Sequence, residues 1–220
     1  MTMDRDTRAG AAIYNRATLM AYDLWVLGLS NQYAWACPTR ALLSHFEHNV
    51  SGRHLDIGVG TGYLLRHARY PVARPDITLA DLNPVSLAAA ARRIRHLSPT
   101  LHHIDVMQPF SLPGAPFASA SMNYLLHCLP GRLTDKAPAV RHAAAQLRPG
   151  GTLFGATILG KGVDHNLLGR ALMGVYNARG IFSNRHDSAE ALHALLEPVL
   201  EDVEVQVVGR VALFAGRRRA

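Results

Sequence analysis

"HLDIGVGTGYLL", residues 54–65, is the stretch whose reading decides the fold. An apolar run closes on an acid, three glycines follow at alternate positions, and apolar residues resume at once. Read as a strand, a turn and the opening of a helix, it puts bare backbone at the carboxyl end of the strand. A ligand can approach main-chain N–H groups there without meeting a Cβ. A dinucleotide fingerprint asks for G-x-G-x-x-G, whereas this loop is G-x-G-x-G with Tyr63 at the third glycine's place. Asp56 also sets a negative charge where a pyrophosphate would be repelled and an ammonium welcomed. The loop therefore favours a ligand with a positive end.

The flanking sequence repeats the same rhythm. Residues 53–57, 76–80, 101–105, 121–126 and 151–158 read as short strands bounded by Gly, Pro, Asp or Asn. Helical patterns separate most of them: one follows Asn83 as cap and Pro84 at a first helical position, and another spans 132–147, with Pro138 expected to break its start. Strands alternating with helices imply parallel crossovers and a doubly wound α/β sheet covered on both faces. The C-terminal "VEVQVVGRVALFAG" breaks the rhythm and reads as an antiparallel hairpin turning at Gly209 and Arg210.

Composition narrows the function classes. At 220 residues, with 49% hydrophobic and 18% charged residues, the chain suits one globular unit. The charge of +7 comes almost wholly from arginines, scattered except at 217–219 and without interleaved aromatics, so it reads as solubility charge and no nucleic-acid surface is expected. The N-terminal decapeptide has charges of both signs and no long apolar run, from which a cytoplasmic location and no membrane partner are expected. Cys37 and Cys128 lack C-x-x-C spacing and read as buried thiols. His45 and His48 lack a third ligand nearby and read as surface helix, so no metal is expected.

Two further acids complete a pattern. Asp81 closes the second strand in "LADLNP", 19 residues beyond Gly62, a place from which a carboxylate accepts hydrogen bonds from ribose hydroxyls. Asp105 closes the third strand in "HHIDVMQPF" and can accept from an exocyclic amine. Three acids at three consecutive strand ends converge on one crevice, and a nucleoside carrying an amino acid fits them.

With "LDIGVGTG", "LADLNP", "HIDVMQPF" and "LRPGGTLFGATI" in that order, residues 50–216 resemble the class I S-adenosylmethionine-dependent methyltransferases. The resemblance implies a seven-stranded, mostly parallel, Rossmann-like sheet with S-adenosylmethionine as cosubstrate. It implies that Gly58, Gly60 and Gly62 line the methionyl moiety with Asp56 near its amine. Asp81 would hold the ribose, Leu82 would pack on adenine, and Asp105 with the Val106 N–H would read the adenine edge. It further implies a helical cap over residues 1–50, a catalytic unit over 51–220 and a helical insertion at about 160–184.

The acceptor end is less explicit. "NYLLHCLPG" (123–131) lacks the two prolines typical of nucleobase amine methyltransferases, and the compact chain is similar to the small-molecule enzymes of bacterial secondary metabolism. His127 is the candidate base, since histidine accepts protons near neutral pH, whereas His102 and His103 read as mid-strand. Tyr14, Thr18, Tyr22, Trp25 and Leu29 recur at helical spacing, as core or as a lid whose Tyr14 and Tyr22 face the sulfonium. The insertion 164–184, with Asp164 expected to cap it and Gly180 to end it, offers Tyr176 either to the core or to the pocket. Three classes follow: methyl transfer to an N, O or C centre of a small metabolite; cyclisation of the cosubstrate itself, as in azetidine-2-carboxylate synthases, with Asn123 and Tyr176 orienting its amine; and non-catalytic binding. Oligomeric state is left open.

Overall fold

A computed structural model describes residues 30–220. Its seven strands run in the order β3-β2-β1-β4-β5-β7-β6. β1 (Arg53–Ile57), β2 (Asp76–Asp81), β3 (Thr100–His103), β4 (Phe117–Asn123) and β5 (Leu147–Ile158) are parallel, and β7 (Val211–Arg218) enters antiparallel between β5 and β6 (Leu200–Val208). The order reverses between β1 and β4, and a doubly wound sheet opens its ligand crevice at such a switch point.

Helices cover both faces, as crossovers between parallel strands require. On one face α1 (Thr39–Asn49), the short α2 (Tyr63–His67) and α3 (Pro84–Arg93) pack Phe46, Leu65, Leu87 and Ala90 against Ile77, Leu79 and Phe154. On the other, α4 (Ala137–Ala145) and α6 (Ala189–Leu196) set Val140, Ala143, Leu192 and Leu196 against Leu55, Ala120, Leu153 and Phe214. Each fully buried Leu or Phe contributes roughly 1.5–3 kcal/mol relative to exposure. The third layer element, α5 (Leu167–Ala178), lies beside Trp35 and Phe182 at the sheet's switch-point end.

Local chemistry explains the element ends. Asn83 Oδ1 accepts the Val85 N–H at 2.8 Å and Pro84 opens α3, as expected. Pro138 does not break its helix: a 3₁₀ turn, Leu133–Lys136, leads in, and the proline occupies the first turn of α4, where its missing N–H has no intrahelical partner to lose. The cap of α5 is Asn166, whose Oδ1 accepts the Gly169 N–H at 2.8 Å, and not Asp164. Gly180, in the left-handed region at φ 69°, follows the end of that helix.

Three strand assignments shift. β3 spans 100–103, so Asp105 lies in the loop beyond it, and His102 and His103 sit at the end of an exposed edge strand. β4 begins at Phe117, four residues before the expected start, because small residues carry the buried pattern there without β-branched markers. β5 begins at Leu147 and shifts register against β4 between Phe117 and Ser119. The terminal hairpin turns at Gly209–Arg210 as expected, and the Arg210 N–H donates to Trp35 O at 2.8 Å.

His45 is not a surface residue. Its Nε2 lies 3.0 Å from Phe214 O and its ring meets Phe154 edge-on, so α1 packs on the sheet even though it falls within the stretch expected to form the cap. Tyr14, Thr18, Tyr22, Trp25 and Leu29 lie outside the described residues. Among the described residues no helix is long and apolar enough to cross a membrane.

Candidate functional site

The carboxyl ends of β1, β2 and β4 and the loop after β3 open on one pocket. Asp56, Gly58, Gly60, Gly62, Asp81, Leu82, Asp105, Val106 and Asn123 all line it. Nine of the residues singled out from the sequence are thereby brought together. His127 and Tyr176 are not among the lining residues.

The glycine loop is built by backbone geometry. Gly58, Gly60 and Gly62 all adopt positive φ, 75°, 52° and 71°, where a Cβ is disfavoured. Their reasons differ. A Cβ on Gly62 would lie 3.0 Å from Ala90 Cα, so this glycine lets α3 approach the loop. A Cβ on Gly60 would meet nothing within 4 Å and would project into open space at the pocket. At Gly60 the positive φ alone, and no neighbouring atom of the protein, disfavours a side chain.

The acids are held in distinct ways. Asp56 is buried and accepts a hydrogen bond from the Ser121 hydroxyl. Burial pushes its carboxyl up to about 7; the Ser121 donor opposes this, and the negative charge of Asp81 adds to it. Asp81 is raised by burial and held down by the backbone N–H groups of Asn83, Val59 and Gly60, the first at 2.7 Å from its Oδ1. Its carboxylate therefore ties the glycine loop to the start of α3. Asp105 Oδ1 accepts the Met107 N–H at 2.9 Å, which fixes the loop that follows β3.

At the end of β4, Asn123 has neither its Oδ1 nor its Nδ2 hydrogen-bonded, although both atoms are buried. A buried amide without partners in a pocket wall is primed to recognise a polar ligand group. The Tyr124 hydroxyl donates to Asn31 Oδ1 at 2.8 Å, and burial lifts the Cys128 thiol to about 12, so it stays neutral.

His127 sits behind this wall. It is 3% exposed, and its Nδ1 accepts the Ile158 N–H at 3.3 Å. Burial first, and then the charge of Lys136, pulls its pKa down to about 3. The ring packs edge-on against Phe182 at 4.5 Å, so the structure gives it a packing and backbone-bonding place rather than a free face at the pocket. Tyr176 packs on the same Phe182 at 4.9 Å, in the apolar cluster with Trp35 and Leu213.

Sequence reasoning passed over Ser121, His54 and the buried pair Lys136–Asp187. Ser119 and Ser121 alternate along β4 as His54 and Asp56 do along β1, and polar residues at period two in strands buried on both faces were the available signal. Lys136 and Asp187 are 51 residues apart and carried no local signal.

A family model described as a methyltransferase domain matches residues 30–198. The chain is 42% identical to demethylluteothin O-methyltransferase of Streptomyces thioluteus over 212 residues, covering 96% of this chain and 92% of that one. It is 41% identical to the physcion biosynthesis cluster O-methyltransferase of Aspergillus chevalieri over 210 residues, 94% of each chain. Among solved structures, the N-methyltransferase NodS of Bradyrhizobium japonicum WM9 with S-adenosyl-L-homocysteine aligns at a TM-score of 0.64 and 16% identity. The alignment covers 93% of this chain and 98% of that one.

Proposed function

Because the chain belongs to the methyltransferase-domain family, whose S-adenosylmethionine-dependent fold it adopts, we propose that it methylates a hydroxyl oxygen of a small metabolite. The observation that carries this reading is identity above 40% to two O-methyltransferases across more than nine-tenths of each chain. A secondary-metabolite acceptor is the substrate class those relatives favour, whether the enzyme is bacterial or fungal.

The residues present fit the cosubstrate. The open backbone at Gly60, the buried carboxyl of Asp56 and the unpartnered amide of Asn123 supply acceptors and donors for a zwitterionic amino acid. S-adenosylmethionine, when bound, supplies a methyl group already activated on a sulfonium. The protein's part is placement and exclusion of water; a phenolic or enolic acceptor enters as its anion, its proton left to solvent, and its oxygen takes the methyl as the carbon–sulfur bond breaks. Asp56 accepts from the ammonium, which also draws its carboxyl back to the charged form. Asp81, pinned by three backbone donors, offers its remaining lone pairs to the ribose hydroxyls. Leu82 packs on the adenine, and Asp105 with the Val106 N–H reads its edge. Asn123 faces the junction of cosubstrate and acceptor and orients a hydroxyl by hydrogen bonding. Tyr14 and Tyr22, read from the sequence as core or as lid aromatics, lie outside the described residues.

The test is product analysis. Purified protein with S-adenosylmethionine and a panel of phenolic and enolic acceptors yields S-adenosylhomocysteine and an O-methyl product only when an acceptor is present. Methylthioadenosine formed from S-adenosylmethionine alone would instead establish the cyclising reaction. An N-methyl or C-methyl product would overturn the oxygen assignment while leaving methyl transfer intact.

A further inference from the structure

β1 and β4 pair so that His54 stands opposite Ser119 and Asp56 opposite Ser121. Strand alternation puts all four side chains on one face of the sheet. Ser121 Oγ donates to Asp56 Oδ1, and His54 Nε2 lies 3.1 Å from the same Ser121 oxygen. His54 Nδ1 lies 2.8 Å from Ser119 Oγ, which in turn lies 2.9 Å from Ser51 Oγ. Ser51 is half-buried at the amino edge of the sheet, where its Oγ donates to Arg53 O at 2.9 Å. Five side chains thus form an unbroken line from that edge, through the sheet, to the carboxyl in the cosubstrate pocket.

Counting hydrogens shows that the line has two states. While Asp56 is ionised, the single proton of Ser121 points at it. Ser121 can then only accept from His54, so the ring carries its proton on Nε2. The bare Nδ1 accepts from Ser119. When Asp56 holds a proton and donates it to Ser121, every link reverses. Ser121 donates to Nε2, the ring proton sits on Nδ1, Ser119 accepts it and donates to Ser51. One proton entering at Ser51 and one hop at each link convert the first state into the second, with Asp56 as the final carrier and no net charge left on the ring. Burial keeps His54 neutral, pulling it down to about 3 despite its contact with Ser119. The ring has no other evident purpose: it is 0% exposed among Phe46 at 5.4 Å and Phe154 at 5.7 Å, where an apolar side chain would pack without a hydrogen-bonding requirement.

We propose that His54 is a positioning residue of the cosubstrate site. Through Ser121 it aims the Asp56 carboxylate at the pocket, and through Ser119 and Ser51 it gives that carboxyl a proton path to the opposite edge of the sheet. Its use rests on the reading that Asp56 receives the ammonium of S-adenosylmethionine: a protonated Asp56 must lose its proton when the cation binds, and the path supplies the exit once the ligand covers the pocket. The other groups facing Asp56 do not replace it. Asp81, from β2, raises the Asp56 carboxyl and offers no exit; Tyr70 feels the Asp56 charge, but its hydroxyl is spent on Leu65 O at 2.8 Å. Towards His54, α1 and β5 present Phe46 and Phe154, and His45 stands beyond Phe154 bonded to Phe214 O.

The experiment reads the ring directly. Nitrogen-15 NMR of the ligand-free protein from pH 5 to 9 should show His54 neutral throughout, with its proton on Nε2 at high pH and on Nδ1 at low pH, crossing at the midpoint of Asp56. A single tautomer across that range while Asp56 titrates overturns the proposal. Ser121→Ala cuts the line between Asp56 and His54. The ring should then hold one tautomer while Asp56 titrates; a crossing that still follows the Asp56 midpoint in this variant also overturns the proposal. Calorimetry with S-adenosylmethionine tests the underlying reading separately. Affinity should fall up to about tenfold per pH unit below the Asp56 midpoint. A tautomer switch with pH-independent affinity would retain the relay and reject the ammonium assignment.

Discussion

Lys136 Nζ lies 2.7 Å from Asp187 Oδ2, with side-chain exposures of 0% and 1%, and the same ammonium donates to Ser183 O at 2.8 Å. The pair joins the segment after β4 to the segment after α5. Ser183 reinforces the joint: its N–H donates to His127 O at 2.8 Å, and its hydroxyl bridges to Gly131. The wall that carries Tyr124, Cys128 and Leu129 into the pocket is braced from behind by this ion pair.

Removing one partner should therefore cost more than the pair itself contributes. Lys136→Met leaves Asp187 buried without its cation and should destabilise the protein by about 3–5 kcal/mol. Adding Asp187→Leu to Lys136→Met removes the stranded charge and should restore most of that loss. Urea unfolding of both variants decides the matter. Equal stability of the single and double variants would mean that Asp187 is not stranded and that the brace lies elsewhere.

The pocket was legible because its signals are local. Asp56, Asp81 and the three glycines announce themselves within a few residues of a strand end, and a strand end is where the crevice must be. Asn83 was legible for the same reason, as a cap beside a proline. What sequence could not supply was strand register and contact across the fold. His54 acquires meaning only when β4 places Ser119 and Ser121 beside it, and Lys136 only when Asp187 returns to meet it. His127 was misplaced by the same gap: its position after the fourth strand is correct, yet the ring turns inward to the Ile158 N–H instead of outward to the pocket. Asp164 shows the smaller version of the error, since Asn166, two positions further on, is the residue that caps α5.

Acid should unfold the protein partly through His127. Its pKa is depressed in the folded state to about 3 from 6.5, so the native ring stays neutral while the unfolded ring gains a proton. Stability from this site is fully present above pH 6.5 and is lost as pH falls toward 3, by roughly 2 kcal/mol at pH 5. His127→Gln keeps an acceptor for the Ile158 N–H and removes the titration. The stability difference between pH 7.5 and pH 5 should shrink by that amount in the variant, as measured by urea unfolding at both values. Comparison with the wild type cancels the contributions of His54 and Asp56, which titrate in both proteins.

Gly60 and Gly62 should separate binding from folding. Valine at either position must adopt a positive φ, at a cost of about 1–3 kcal/mol. At position 62 it also collides with the Ala90 backbone, so Gly62→Val should lose stability heavily. Gly60→Val has free space around its Cβ and should remain folded, with only the backbone strain showing in its melting temperature. Its affinity for S-adenosylmethionine should nevertheless fall sharply, because the side chain occupies the pocket. Normal affinity in folded Gly60→Val would show that this loop is not the cradle.

Tyr176 supplies the test of the insertion as lid or core. From Tyr176 the ring contacts run to Phe182 at 4.9 Å, on to His127 at 4.5 Å and to Tyr124 at 5.6 Å, and only the last of these rings lines the pocket. A residue three ring contacts from the nearest pocket-lining ring acts through packing. Tyr176→Leu removes one edge-to-face pair and some ring volume and should cost about 1–2 kcal/mol of stability. The single-turnover rate per folded molecule should be nearly unchanged, because no charge develops beside the ring. A ring facing the sulfonium behaves otherwise: losing its negative face removes about 1–2 kcal/mol of cation–π stabilisation, roughly a tenfold rate loss, while leucine preserves most of the packing. Melting temperature and single-turnover rate measured on the same variant distinguish the two. An unshifted melting temperature with a tenfold slower rate would move Tyr176 from the core to the reacting centre.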